Sequence, residues 1–226
     1  MPKTGMAPVR RRAFVEAAIR GIHDRGFVDL TTGDVAREAG LSQGLVHHYF
    51  GSKSALFIAT MRHLLIEFGA GVRERLREAR TPRERLSAIV DGSFCEAQQR
   101  PEVVSAWLTF YVQALTEPEV RRLLLIYQRR LISNLRHEYR RLPTRESAEV
   151  AAESTAAMID GLWLRRVLGD AEPCGESSVA IMEAHIDSQL GPLDDPQAPG
   201  ARSARLATRH SARGAVAPSE PSARRK

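Results

Sequence analysis

The chain has 226 residues, of which 43% are hydrophobic and 27% charged, and a formal net charge of +6. That is enough for one large domain or two small ones around a buried core, and the absence of any uninterrupted run of 18 apolar residues argues against a bilayer-crossing helix. Two cysteines, Cys95 and Cys174, exclude a disulfide framework and fit a reducing cytoplasm, while the basic start, MPKTGMAPVRRR, lacks the apolar stretch of a secretory signal.

Charge collects at the ends. Residues 1–53 carry a net +3, residues 191–226 a net +4, and the stretch between is near −1. Basic ends suit a polyanion partner, although a solvated tail accounts for the second end equally well. Helical periodicity runs throughout and strand alternation is absent, which predicts an all-α fold. Val15, Ala18, Ile19 and Ile22 share one face of a first helix over about 9–25, closed by Gly26. Thr31 or Thr32 caps a second helix, TTGDVAREAG, which stops at Gly40. After the Leu41-Ser42 turn a third, short helix begins. A longer helix follows from Lys53 to about Arg80, with one apolar stripe through Phe57, Met61, Leu64, Leu65, Phe68, Val72 and Leu76, and with Gly69 and Gly71 expected to bend it. Pro82, Pro101, Pro118 and Pro143 then divide the chain into helices over roughly 83–99, 102–115, 119–141, 145–168 and 175–190.

From Gly191 the composition turns to Pro, Ala, Ser, Gly and Arg, too little apolar bulk to offset the entropy of ordering. Three units are therefore expected: 1–52, 53–190, and a basic disordered tail, 191–226.

The first three helices form a helix-turn-helix. The DNA major groove, about 12 Å wide, admits one helix, and the second helix of such a motif lies in it while the first crosses the backbone. Small or polar Gln43 and Gly44 open the recognition helix. Leu41, Leu45 and Phe50 are expected inside, and His47, His48 and Tyr49 towards the duplex. Thr31 or Thr32, and Lys53 after Gly51-Ser52, start helices where backbone N–H groups favour a phosphate. Adjacent histidines on a helix diverge by about 100° and cannot chelate one ion together, and no cysteine or carboxylate stands at ligand spacing, so no metal site is expected.

The run from Arg12 to Lys53, centred on TTGDVAREAGLSQGLVHHYFGSK, resembles the DNA-binding domain of TetR-family repressors. With MPKTGMAPVRR, ATMRHL at 59–64 and DGLWLR at 160–165, residues 1–190 resemble the BetI group of that family, which represses glycine betaine synthesis genes in response to choline. His47 departs from the small polar residue expected there. The resemblance implies double-stranded operator DNA as partner, a homodimer, a small-molecule inducer (choline or a related quaternary amine), no cofactor and no membrane. It also implies a larger C-terminal half for ligand binding and dimerisation, with a ligand-driven population shift in the spacing of two recognition helices about 34–36 Å apart. A TetR-type regulator of some other small ligand is the alternative.

A quaternary ammonium is held by aromatic faces, with or without a carboxylate. Trp107, Phe110 and Tyr111 share a face, as do Asp160 and Trp163; Tyr127 and Phe94 are further candidates. Asp160 needs a cation, either the ligand or Arg165 or Arg166. For dimerisation, Ala148, Ala151, Ala152, Thr155, Ile159 and Leu162 make one stripe and Val179, Met182, Ile186 and Leu190 another, unless both are buried within one subunit. No nucleophile–base pair, phosphate loop or zinc spacing points to an enzyme.

Overall fold

The computed structural model describes residues 5–169 and 175–191, with side chains in the last helix from Ser178 onward. The chain to Leu190 is one compact unit, so the expected boundary at 52/53 falls inside a continuous body. The expected disordered tail, Gly191 apart, and Cys174 lie outside the described residues.

Nine α-helices, one 3-10 turn and no strand occur among the described residues. The helices are α1 (Met6–Asp29), α2 (Thr32–Glu38), α3 (Gln43–Phe50), α4 (Lys53–Glu78), α5 (Pro82–Phe94), α6 (Pro101–Gln113), α7 (Pro118–Tyr139), α8 (Arg145–Leu168) and α9 (Gly175–Leu190). Their ends follow local chemistry. In α1 the helical path breaks at Gly26, with φ 75° and ψ 159°, a conformation that a side chain would strain. Thr31 and Asp34, and likewise Thr81 and Glu84, satisfy each other's backbone N–H groups as capping boxes for α2 and α5. Between α2 and α3, Gly40 takes φ +64°. The Leu41 N–H then donates to the Ala36 carbonyl at 2.9 Å and the Gly40 N–H to that of Arg37 at 3.1 Å, closing the helix with a left-handed cap. Pro82, Pro101 and Pro118 each sit in a first turn, where the missing N–H costs nothing.

Two apolar cores fill the body. Phe14, Val35, Val46, Met61 and Phe110 belong to the first, built from α1–α4 with α6. Leu86, Leu135, Tyr139, Ala152, Met182 and Ile186 belong to the second, built from α5 and α7–α9. Phe68, Tyr127 and Trp163 are partly buried against both cores at once.

Five expectations change. Helix α4 is continuous through Gly69 and Gly71; Arg75 donates to the Gly71 carbonyl at 3.0 Å, and α5 and α7 brace its far half. By length and composition α4 could cross a membrane, but Leu56, Phe57, Met61, Leu64 and Val72 are spent in the two cores. The helix expected over 83–99 ends at Phe94, and a 3-10 turn, Glu96–Gln98, follows. There the Gln99 side-chain amide donates to the Phe94 carbonyl, capturing an orphan acceptor. The inward anchor of α3 is Val46, 1% exposed, while Leu41, Leu45 and Phe50 are only partly buried. Finally, Ala148, Ala151, Ala152, Thr155 and Ile159, with Met182 and Ile186, are buried within the subunit. Their small side chains let α8 approach α7 and α9 closely, which leaves the opposite face of α8 outward.

Helices α4 and α5 meet at Gly92, where an added Cβ would lie 2.6 Å from Val72 Cγ2 and 3.3 Å from its Cα. Gly92→Ala should therefore destabilise the fold by about 1–3 kcal/mol through overpacking, read as a lower urea midpoint; an unchanged midpoint would mean that the two helices have room to spare.

Candidate DNA interface and ligand cage

The DNA-facing candidates lie at one end of the helix-turn-helix. Gln43, Gly44, His47 and His48 are exposed along α3. The Gln43 amide donates to Thr32 Oγ1 at 3.2 Å, tying the start of α3 to the start of α2 and leaving the Gln43 carbonyl oxygen free. Thr31 is otherwise occupied, since its hydroxyl donates to Asp34 and accepts from the Asp34 N–H. The Thr31 hydroxyl, then the Thr31 backbone N–H and Arg37, all donating to it, hold the Asp34 carboxyl down to about 2 from its ordinary 3.8. Thr32 keeps its own O–H to offer. His47 Nδ1 is 3.3 Å from the Gly51 carbonyl oxygen, an interaction that needs the proton on Nδ1 and leaves Nε2 outward. Tyr49 is half-buried, its ring 6.2 Å from that of Phe14. Lys53 donates to the Val28 carbonyl at 2.9 Å and lies over the Phe27 ring at 4.7 Å, which positions its ammonium beside Thr31 and Thr32 along one shallow recess.

Sequence reading missed Arg11. It donates to the Tyr49 carbonyl at 2.7 Å and covers the Phe50 ring at 4.6 Å, so it locks α1 to the end of α3 while staying exposed. The Arg10-Arg11-Arg12 run was visible as charge, but nothing in the sequence tells which arginine folds back.

The ligand candidates converge at the junction of the two cores. Trp107 lies 5.3 Å from Tyr127 and 6.3 Å from Tyr111, and Tyr111 lies 6.4 Å from Trp163. Burial, and after it the charge of nearby Asp160, raises the Tyr111 and Tyr127 phenols above their usual range. Burial alone pushes Asp160 up to about 6, and among the described residues it has no hydrogen bond or ion pair. Arg166 turns away to Gln99 instead and Arg165 is exposed. Phe68 of α4, read from the sequence only as core, stands edge-on to both Tyr127 (5.5 Å) and Trp107 (6.3 Å). Phe110 stands 5.7 Å from Trp107 on its far side, fully buried in the first core, and Phe94 is placed elsewhere, in the second.

A separate cavity of about 280 Å³ shares the Phe68–Tyr127 wall, but its remaining lining is apolar apart from Arg73, Arg130 and Asn134, with no carboxylate. Its chemistry suits a cation poorly; the aromatic box with Asp160 suits one well.

Residues 14–60 match the sequence model of bacterial regulatory proteins of the tetR family, and residues 82–191 that of BetI-type transcriptional repressors, C-terminal part. Over 190 residues the chain is 48% identical to the HTH-type transcriptional regulator BetI of Brucella suis, covering 84% of this chain and 96% of that one. This chain belongs to the BetI-type branch of the TetR family. A second BetI, from Rhizobium meliloti, is 48% identical over 202 residues, 89% of this chain and all of that one. Among solved structures, a transcriptional regulator from Pseudomonas aeruginosa PAO1 has a TM-score of 0.72 at 28% identity, over 81% of this chain and 92% of that one. Another, from Saccharomonospora viridis in complex with choline, shares the fold with a TM-score of 0.65 at 23% identity, over 80% and 95%.

For a DNA-binding TetR-family repressor the recognition-helix geometry makes distinct demands. Gln43→Ala should weaken operator binding more than binding to random DNA in a shift assay; equal losses would remove Gln43 from base readout. Lys53→Met should weaken both together and lower the salt slope by about one, and an unchanged slope would mean that its ammonium meets no phosphate.

Proposed function

We propose that this repressor binds its operator as a homodimer in the cytoplasm, silences genes for choline uptake and glycine betaine synthesis, and is released by choline or a related quaternary amine. The observation that carries the ligand assignment is Asp160: a half-buried carboxylate among Tyr111, Tyr127 and Trp163 with no cation among the described residues. A quaternary ammonium supplies that charge and fills the aromatic faces without needing a hydrogen bond. The choline bound by the Saccharomonospora viridis regulator supports the same reading.

In this reading residues 1–52 read DNA, with Thr32, Gln43, Gly44, His47, His48 and Lys53 at the duplex and Thr31 and Tyr49 holding the motif in shape. Residues 53–190 bind the ligand and dimerise. Two helices link the sites. Helix α4 has Lys53 at the head and Phe68 at the cage, fifteen residues or about 22 Å away. Helix α6 packs Phe110 into the head's core and presents Trp107 and Tyr111 to the cage. A ligand that prefers one rotation of either helix changes the separation of the two recognition helices, by no more than its differential affinity for the two states allows.

The dimer face is the outward side of α8 and α9. Val150, Ala157, Gly161, Leu164 and Leu168 fall at helical spacing on α8 and are all exposed, Val150 at 61% and Leu168 at 66%; Ile181 of α9 is exposed at 44%. An apolar stripe of this kind on a soluble surface asks for a partner, and the small residues at 157 and 161 allow close helix approach. A second reading, a TetR-type regulator of a different small ligand, is favoured by the neighbouring 280 Å³ cavity with its two arginines.

The deciding test is a shift assay on the chain's own upstream region with and without choline; release of DNA is expected, and choline-insensitive binding would favour the second reading. Leu164→Glu should give a monomer in analytical ultracentrifugation, and a persistent dimer would move the interface elsewhere. Choline affinity should fall as pH drops through about 6, where Asp160 takes up its proton. Without ligand the folded state holds that proton to a higher pH than the unfolded chain, so Asp160 makes stability fall as pH rises from 3.8 to about 6. Asp160→Asn should abolish both dependences; a pH profile unchanged by it would assign them to another group.

A further inference from the structure

Helix α3 carries two exposed histidines, and only one of them is held in place. The last turn of the helix is clasped twice between the same two residues. The Gly51 N–H donates to the His47 carbonyl at 2.9 Å, and His47 Nδ1 donates to the Gly51 carbonyl at 3.3 Å. Gly51 can return its carbonyl to the ring because it stands at φ 79°, ψ −48°, a conformation that a residue with a side chain seldom adopts. The His48 ring rests 5.2 Å from that of Tyr49 and has no hydrogen bond among the described residues.

A carbonyl oxygen only accepts, so His47 carries its proton on Nδ1, and the neutral ring keeps a lone pair on Nε2. The side chain is exposed and Nε2 lies across the ring from the Gly51 contact. The clasp therefore decides what α3 offers at this point, which is an acceptor.

An acceptor is selective against a duplex. Phosphate oxygens have no proton to give it. On the major-groove edge guanine shows N7 and O6 and thymine shows O4, all of them acceptors; only the N6 amino group of adenine and the N4 amino group of cytosine donate. The way in is open. Gly44, three residues before His47 and also exposed, is a helical glycine whose added Cβ would meet nothing within 4 Å. Packing within the protein gives no reason for a residue that weakens a helix, whereas a missing side chain lets α3 come closer to the base edges and carries the imidazole with it.

We propose that His47 is a specificity-determining residue that reads an exocyclic amino group, so that each half of the operator sets an adenine or a cytosine against it in the major groove. This rests on the reading of α3 as the recognition helix.

The operator in the chain's own upstream region is located by footprinting with the full-length protein at pH 8, above the range in which imidazole titrates. Each adenine of the protected half-sites is then replaced by purine and each cytosine by pyrimidin-2-one, which removes the amino group and nothing else. At one position the change, made in both half-sites, should weaken binding at least about tenfold in the unsubstituted protein and less than twofold in His47→Ala. Random DNA should bind the variant within twofold of the unsubstituted protein, which also shows that it is folded. His47→Lys, which can only donate, should lose the same dependence and favour guanine at that position. A pattern of amino-group dependence that neither substitution changes overturns the proposal. So does a loss of random-DNA affinity with a smaller salt slope, which would make His47 a phosphate contact, or a guanine whose 7-deaza analogue loses its effect in His47→Ala, which would make the ring a donor. If the unsubstituted protein protects no site, the reading of α3 as a recognition helix falls and this one with it.

Discussion

Helix α6 is held on two sides, and that double commitment ties the helix-turn-helix head to the aromatic cluster of the body. On one side Val103, Ala106, Phe110 and Ala114 are buried in the core shared with α1–α4. On the other, Trp107 and Tyr111 are walls of the aromatic box. Its seam with α1 is the most extensive helix contact in the described chain, and His23 adds a polar bridge to Ser105 at 2.9 Å. Because interiors are packed as densely as crystals, α6 has little freedom to follow a ligand while leaving α1 in place.

The same packing explains why the box lies where it does. Phe68, Tyr127 and Trp163 each touch both cores. A seam between two cores is where packing can have two arrangements at small cost, whereas the middle of either core cannot. Within the second core Arg85 pairs with buried Glu138 at 2.8 Å, and Tyr139 bonds Thr155 at 2.9 Å. Among the described residues Asp160 has no ion pair, and Arg166 Nη1 and Glu183 Oε1 are buried without a hydrogen-bond partner.

Much of this could be read along the chain. The Thr31 and Thr81 caps, the prolines in first turns, and Gly26 and Gly40 at positive φ act over four residues or fewer, so the helices stand close to where the pattern places them. The aromatic cluster was legible in part for a similar reason: Trp107 and Tyr111 share a helix face, and Asp160 and Trp163 share another. Phe68 was not, because a phenylalanine on an apolar stripe looks the same whether it faces a core or a cage. The small-residue stripe of α8 expected to meet a partner is buried within the subunit instead. Both sides of α8 are small and apolar, and only the placement of α7 and α9 decides which is used up within the subunit.

Composition, periodicity and capping chemistry by themselves determined an all-helical chain with a helix-turn-helix head and a long helix leading out of it, because those signals depend on neighbours one or two turns apart. Which aromatics meet, which carboxylate is left without a cation, which arginine is left without an acceptor, and which face of α8 stays outward were decided only by tertiary structure. Each of these depends on residues on different elements, from 16 positions apart for Tyr139 and Thr155 to 67 for Gln99 and Arg166, being brought within a few ångströms, and no local pattern records the arrangement of helices that does so.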